Sequence, residues 1–211
     1  TALDRDFRLF GQPDAARPLA EAVTRMARAI GMRSVAMSAH EYLSRALLDL
    51  GDAPGALREA ETAVEMASST GGRIHLAKGL NELGAALRAV GRGAEAQAAW
   101  ARSAALLREM ADRSAVEPAA QLAHHAAEAG DTATALFAWQ SVRTAAIETR
   151  WLVTPHEPDL ARANAAIARL QAAHPGAALI DRGAKKLGAF AFITPRGVLS
   201  RDYDGRAACH L

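Results

Sequence analysis

Four glycines set the rhythm of this chain. Gly11, Gly51, Gly91 and Gly130 fall at spacings of 40, 40 and 39 residues, and five residues after each stands an alanine: Ala16, Ala56, Ala96 and Ala135. Eight residues before each stands a leucine: Leu3, Leu43, Leu83 and Leu122. Three aligned columns across four copies describe one helix, a glycine turn and a second helix, repeated along an axis. The stretch Gly79 to Trp100, GLNELGAALRAVGRGAEAQAAW, states the pattern most fully. Leu80, Leu83, Gly84 and Leu87 share one side of a helix, Gly91 ends it, and Ala96 and Trp100 lie on the inner side of the next.

Composition agrees with closely packed helices. Aromatic residues make up only 5% of the chain and alanine is abundant; alanine combines the best helix propensity with no bulk to hold helices apart. Lysine and arginine number 25 against 23 aspartates and glutamates, a net charge of +2. So even a balance is too weak to argue for nucleic-acid binding by electrostatics alone. Cys209 is the single cysteine, so neither an intrachain disulfide nor a cysteine metal cluster can form, and a reducing cytoplasm is the expected location. No apolar run approaches the roughly 20 residues of a membrane span, and no signal peptide is evident. The first residue is Thr1, while Leu3 and Phe7 already read as the second half of a helix, so the chain is expected to be cut from something longer.

The pattern predicts helix pairs at about residues 1–31, 34–69, 73–111 and 116–150, within a repeat domain of residues 1–173. An unpaired amphipathic helix at 158–173 would cap the last apolar face. The segment Ser68 to Gly72, SSTGG, reads as a loop by composition. Residues 174–211 form an extension in which AFAFI and VLS, on either side of Thr194-Pro195-Arg196-Gly197, read as two extended pieces around a turn, with the last residues flexible.

Leucine, small residue, turn glycine, alanine and a later aromatic resemble the tetratricopeptide repeat over about residues 1–150, best between Leu80 and Trp100. Ser44 and Ala123 stand where Gly84 does, and Ala60 replaces the aromatic. The period also exceeds that family's usual value of about 34. Units of this length are similar to those of kinesin light chains and of the sensor regions of large bacterial transcription regulators. The resemblance implies an all-α, right-handed solenoid of antiparallel helix pairs, with a capping helix and a short irregular or hairpin tail. It implies a protein- or peptide-binding module, not an enzyme.

In such a solenoid the first helix of each pair lines the concave side. With Leu43 and Leu47 packed inward, about 100° per residue turns Ser38, Tyr42, Arg45 and Asp49 toward the groove. Lys78 and Glu82 correspond in the next pair, with Asn81 and Arg88 beside them, and Gln121 and His124 in the one after. The expected partner-contacting residues are therefore Arg5, Arg8, Tyr42, Arg45, Asn81, Arg88, Gln121 and His124. A partner segment with an acidic part would lie against the arginine forks. No cofactor, metal, membrane or direct nucleic-acid contact is expected, and homodimerisation is left open. A small effector in the same groove is the alternative reading. A metal-dependent helical enzyme using His124, His125 and Glu128 is the third: it would need further inward carboxylates that the pattern does not supply.

Overall fold

The computed structural model describes residues 13–110, 112–148, 157–175, 191–194, 197–201 and 207–210. Two compact units divide the chain, Thr1–Leu107 and Arg108–Leu211. In the first lie α1 (Pro13–Ala29), α2 (Arg33–Asp49), α3 (Ala53–Thr70), α4 (Arg73–Ala89) and most of α5 (Gly93–Glu109). The second holds a short 3-10 turn (Arg113–Ala115), α6 (Val116–Glu128), α7 (Thr132–Glu148) and α8 (Glu157–Ala173). It also holds β1 (Ala191–Thr194), β2 (Gly197–Arg201) and β3 (Ala207–His210). The fold is a TPR-like helical repeat. Its only extended element among the described residues is an antiparallel sheet in the order β1-β2-β3. The β1–β2 hairpin closes with Thr194 opposite Gly197, where the sequence places its turn. The third strand has no periodic signal in the polar end of the chain.

Five of the described turns are built the same way. Gly31, Gly51, Gly71, Gly91 and Gly130 have φ between 69° and 81°, the left-handed region where a side chain is strained. At Gly51 the backbone turns back so that Asp52 N–H donates to the Leu47 carbonyl at 2.8 Å, and Arg92 repeats this on Leu87 after Gly91. The Asp52 carboxylate then caps the next helix by accepting from Gly55 N–H at 2.9 Å. Within the first unit the turn glycines fall every 20 residues, at 31, 51, 71 and 91. The 40-residue period is therefore two nearly equal halves. This corrects the reading of SSTGG as a loop: Ser68 to Thr70 complete α3. Ser69 and Thr70 hydroxyls each donate to the Met66 carbonyl at 2.9 Å, which keeps polar residues inside the helix.

Helices meet through small residues. Ala56, Ala60, Ala63 and Ala67 line one side of α3 with no exposed surface, and a Cβ on Gly79 of α4 would lie 3.2 Å from Val64 Cγ2. Such close backbones bring helix carbonyls within reach of side chains on the neighbouring helix. Ser44 Oγ donates to the Ala56 carbonyl at 2.9 Å, and Ser103 Oγ to the Ala77 carbonyl at 2.6 Å. Trp100 is fully buried on α5 and its indole N–H donates to the Asn81 carbonyl at 3.2 Å. A Cβ on Gly84 would fall 2.5 Å from that indole nitrogen. The glycine is required because the ring occupies its side-chain space.

Gly84→Ser is expected to cost about 1–3 kcal/mol by overpacking. Trp100→Ala alone should cost about 3–5 kcal/mol. The pair Gly84→Ser with Trp100→Ala, which copies Ser44 and Ala60, should be markedly less destabilising than the two singles added together. Urea unfolding of the three variants measures the coupling.

Candidate functional site

The first helices of two successive pairs, α2 and α4, touch directly in the first unit. Their facing positions carry opposite charges in register. On α2 these are Glu41 and Arg45, one turn apart. On α4 they are His75, Lys78 and Glu82, at three- and four-residue steps on one side. Arg45 forks onto Glu82, with Nε donating to Oε2 at 2.9 Å and Nη2 to Oε1 at 2.5 Å. Only 11% of the Glu82 side chain and 31% of Arg45 reach solvent. A two-pronged guanidinium–carboxylate pair of this kind fixes geometry as well as charge. One turn earlier on α2 and two turns earlier on α4, His75 Nδ1 lies 3.2 Å from Glu41 Oε1. Burial raises the Glu41 carboxyl above its ordinary range, against the opposing pull of the His75 hydrogen bond and of the His75 and Lys78 charges.

Asn81 lies beside this row and is buried. Its carbonyl belongs to the Trp100 indole, and its Nδ2 donates to Glu82 Oε1 at 3.3 Å. A carboxylate only accepts, so the amide must turn its nitrogen to Glu82. Its Oδ1 is left buried without a hydrogen-bond partner. An orphan acceptor of this kind costs about 1–3 kcal/mol relative to a satisfied one.

A second polar chain ties α1, α2 and α3 together. His40 is buried on α2 with Nε2 3.0 Å from Arg28 Nη2 and Nδ1 2.6 Å from Glu59 Oε2. The guanidinium can only donate, so Nε2 accepts and the ring proton sits on Nδ1, donated to Glu59.

Of the residues expected from sequence to face a partner, Tyr42, Arg45, Asn81 and Arg88 lie on α2 and α4 of the first unit. Tyr42 and Arg45 are half-buried, Asn81 is buried and Arg88 is exposed. Gln121 and His124 lie on α6 of the second unit, Gln121 half-buried and His124 exposed. The His124 ring meets Trp139 edge-on, 4.9 Å between centroids, and Arg162 of α8 stands 5.7 Å from the centre of the same indole. Trp139 is thus packed between its neighbours, as a core wedge would be. Arg5 and Arg8 lie outside the described residues. Sequence reasoning did not single out Glu41, His75, His40 or Glu59 for the site. The signal that marks the first two is charge complementarity at separations of 34 and 37 residues, between helices that the 40-residue period places side by side. Among the described residues no group of three or more His, Cys, Asp or Glu is gathered as a metal site requires. No described helix is long and apolar enough to cross a membrane.

No family model and no curated protein matches this sequence. Solved structures match the fold. A Rap protein complexed with competence and sporulation factor superposes with a TM-score of 0.66 at 15% identity, over 83% of this chain. This chain spans about half, 51%, of the length of that one. TPR-like repeats of a kinesin light chain-type protein from Podosopora anserina superpose with a TM-score of 0.62 at 21% identity, over 88% of this chain and 93% of that one. A single-substitution variant of the same repeats gives 0.63 at 21% identity, over 88% and 91%.

Two outcomes follow from the charged row. Because its carboxyl binds a proton more tightly folded than unfolded, Glu41 contributes stability below its unfolded pKa that is lost as pH rises through the higher folded value. Glu41→Gln should therefore gain on the native chain steadily from acid to neutral pH in unfolding titrations, and the opposite slope would show that attraction to His75 and Lys78 outweighs burial. Arg45→Ala removes the guanidinium fork from the buried Glu82 and should cost about 1–3 kcal/mol, reduced from the fully buried case by the exposure of Arg45. Arg45→Met combined with Glu82→Leu should restore most of that loss in the same denaturant assay.

Proposed function

We propose that the α2–α4 face of the first unit binds a segment of a protein partner, and that the chain is a non-enzymatic recognition module of a larger cytoplasmic regulator or scaffold. The observation that carries this reading is the unpartnered Oδ1 of Asn81, beside a row in which Arg45 is paired with Glu82 and His75 with Glu41. A backbone N–H from an extended segment would satisfy it, recovering free energy that the unliganded fold leaves unused. The atom is closed to water, so the segment reaches it by displacing neighbouring side chains, Glu82 first among them. A carboxylate on the partner competes with Glu82 for the fork of Arg45, which favours an acidic segment. Arg88, exposed two turns further along the same helix, adds positive potential to that face. The likeness to a Rap protein seen in complex with competence and sporulation factor supports a partner-binding role for a fold of this type.

Peptides selected from a displayed library against the purified chain, then titrated individually by tryptophan fluorescence, test the reading. Asn81→Leu removes the orphan acceptor, so its unfolding stability should stay level or rise by up to about 1 kcal/mol. Its affinity for the selected peptides should fall by about tenfold or more. Arg45→Glu should weaken acidic peptides in particular. Peptide affinities untouched by both substitutions would remove the face from consideration.

A further inference from the structure

The Arg45–Glu82 pair holds the α2–α4 face shut with the chain's own carboxylate. Glu82 accepts from Arg45 Nε at 2.9 Å and Nη2 at 2.5 Å, and its Oε1 also accepts from Asn81 Nδ2 at 3.3 Å. One side chain thus answers two prongs of a guanidinium and one amide nitrogen. The oxygen of that same amide, Asn81 Oδ1, has no hydrogen-bond partner. Glu82 is 8% exposed and Asn81 7%, so both are withdrawn from water.

Donors that lose a carboxylate away from water must find another acceptor, because an unmade buried hydrogen bond is costly. A segment that displaces Glu82 therefore has to bring acceptors of its own to Arg45 and Asn81. A backbone carbonyl presents a single oxygen and cannot match both prongs of the fork, whereas a side-chain carboxylate can. The displaced Glu82 has the converse need, since an ionised carboxylate with little access to water requires a cation. Lys78 stands four residues earlier on α4, where side chains one turn apart meet. It is half-buried, and its charge is close enough to pull on the Glu41 carboxyl.

We propose that Glu82 is an internal stand-in for the partner's carboxylate and that binding exchanges ion pairs: an aspartate or glutamate of the partner takes the Arg45 fork while Glu82 turns to Lys78. This exchange presupposes the binding face proposed above and adds how that face is kept shut. Before binding, Arg45 and the Asn81 nitrogen are occupied by α4 itself. After it, the whole Asn81 amide is free to meet one backbone unit of the partner, nitrogen to carbonyl and oxygen to N–H. Lys78 acts through Glu82 and not through the partner.

The probes are the acidic peptides selected as above, with copies in which each glutamate or aspartate is replaced by its amide, titrated by fluorescence anisotropy against the 211-residue chain and its variants. Glu82→Gln keeps the shape of the stand-in and removes its charge, so acidic peptides should bind about tenfold or more tightly than to the native chain, and the amide copies should gain much less. Arg45→Met should erase that gain, because Glu82→Gln then has no fork to free; simple repulsion by Glu82 would persist without Arg45. Lys78→Met should weaken acidic peptides by about twofold to fivefold in the native chain and have no effect beside Glu82→Gln. Direct attraction by Lys78 would show in both backgrounds. Circular dichroism and melting check that each variant is folded. Unchanged affinity in Glu82→Gln, a gain that survives the loss of Arg45, or a Lys78 effect equal with and without Glu82 would overturn the exchange and leave the binding face in place. So would selected peptides that depend on Asn81 yet carry no acidic residue. Peptides indifferent to both Asn81→Leu and Arg45→Glu would remove the face, and the exchange with it.

Discussion

The distance of closest approach between helix backbones governs this structure. Adjacent helices come so near that a glycine Cα faces an indole ring and serine hydroxyls reach carbonyls of the helix opposite. What is held constant from repeat to repeat is the space shared across that contact, and the residue types are free to trade. Gly84 faces Trp100, while the equivalent contact forty residues earlier uses Ser44 and Ala60, moving bulk from one helix to the other. Close-packed interiors enforce such exchange, because neither a void nor an overlap is tolerated.

Near contact also forces the polar groups at the helix faces into pairs. With α2 and α4 side by side, long side chains on their facing positions cannot all reach water. Arg45 and Glu82 resolve this by forking together, and Glu41 by meeting His75. Charge that would otherwise advertise a groove is consumed within the chain. What the pairs leave unsatisfied in the first unit is the Asn81 amide oxygen. The His40 chain extends the same logic to α1. One neutral imidazole, held by a donor on one side and an acceptor on the other, joins three helices.

Much of the fold was legible because its signals are local. A glycine that must take positive φ, an aspartate that caps the following helix and apolar residues at three- and four-residue steps are each satisfied by neighbours in sequence. Their recurrence every forty residues makes the fold class unavoidable. Hydroxyl-rich Ser68 to Thr70 misled because the same side chains that favour a loop in isolation also bond back into a helix once packing holds it. The strand at Ala207–His210 has no sequence-local cause, since its hydrogen bonds all go to β2.

Periodicity, then, determined by itself that helices would stack in pairs, which residues would turn between them, and that Tyr42, Arg45, Asn81 and Arg88 would share the helices that line up first to first. Tertiary structure alone decided which of those side chains remain available. Helical phase says which way a residue points, but not whether an oppositely charged group 34 or 37 residues away will arrive within hydrogen-bonding distance. Pairing across helices depends on their separation and axial offset to within an ångström, and those are set jointly by every small residue at the contact.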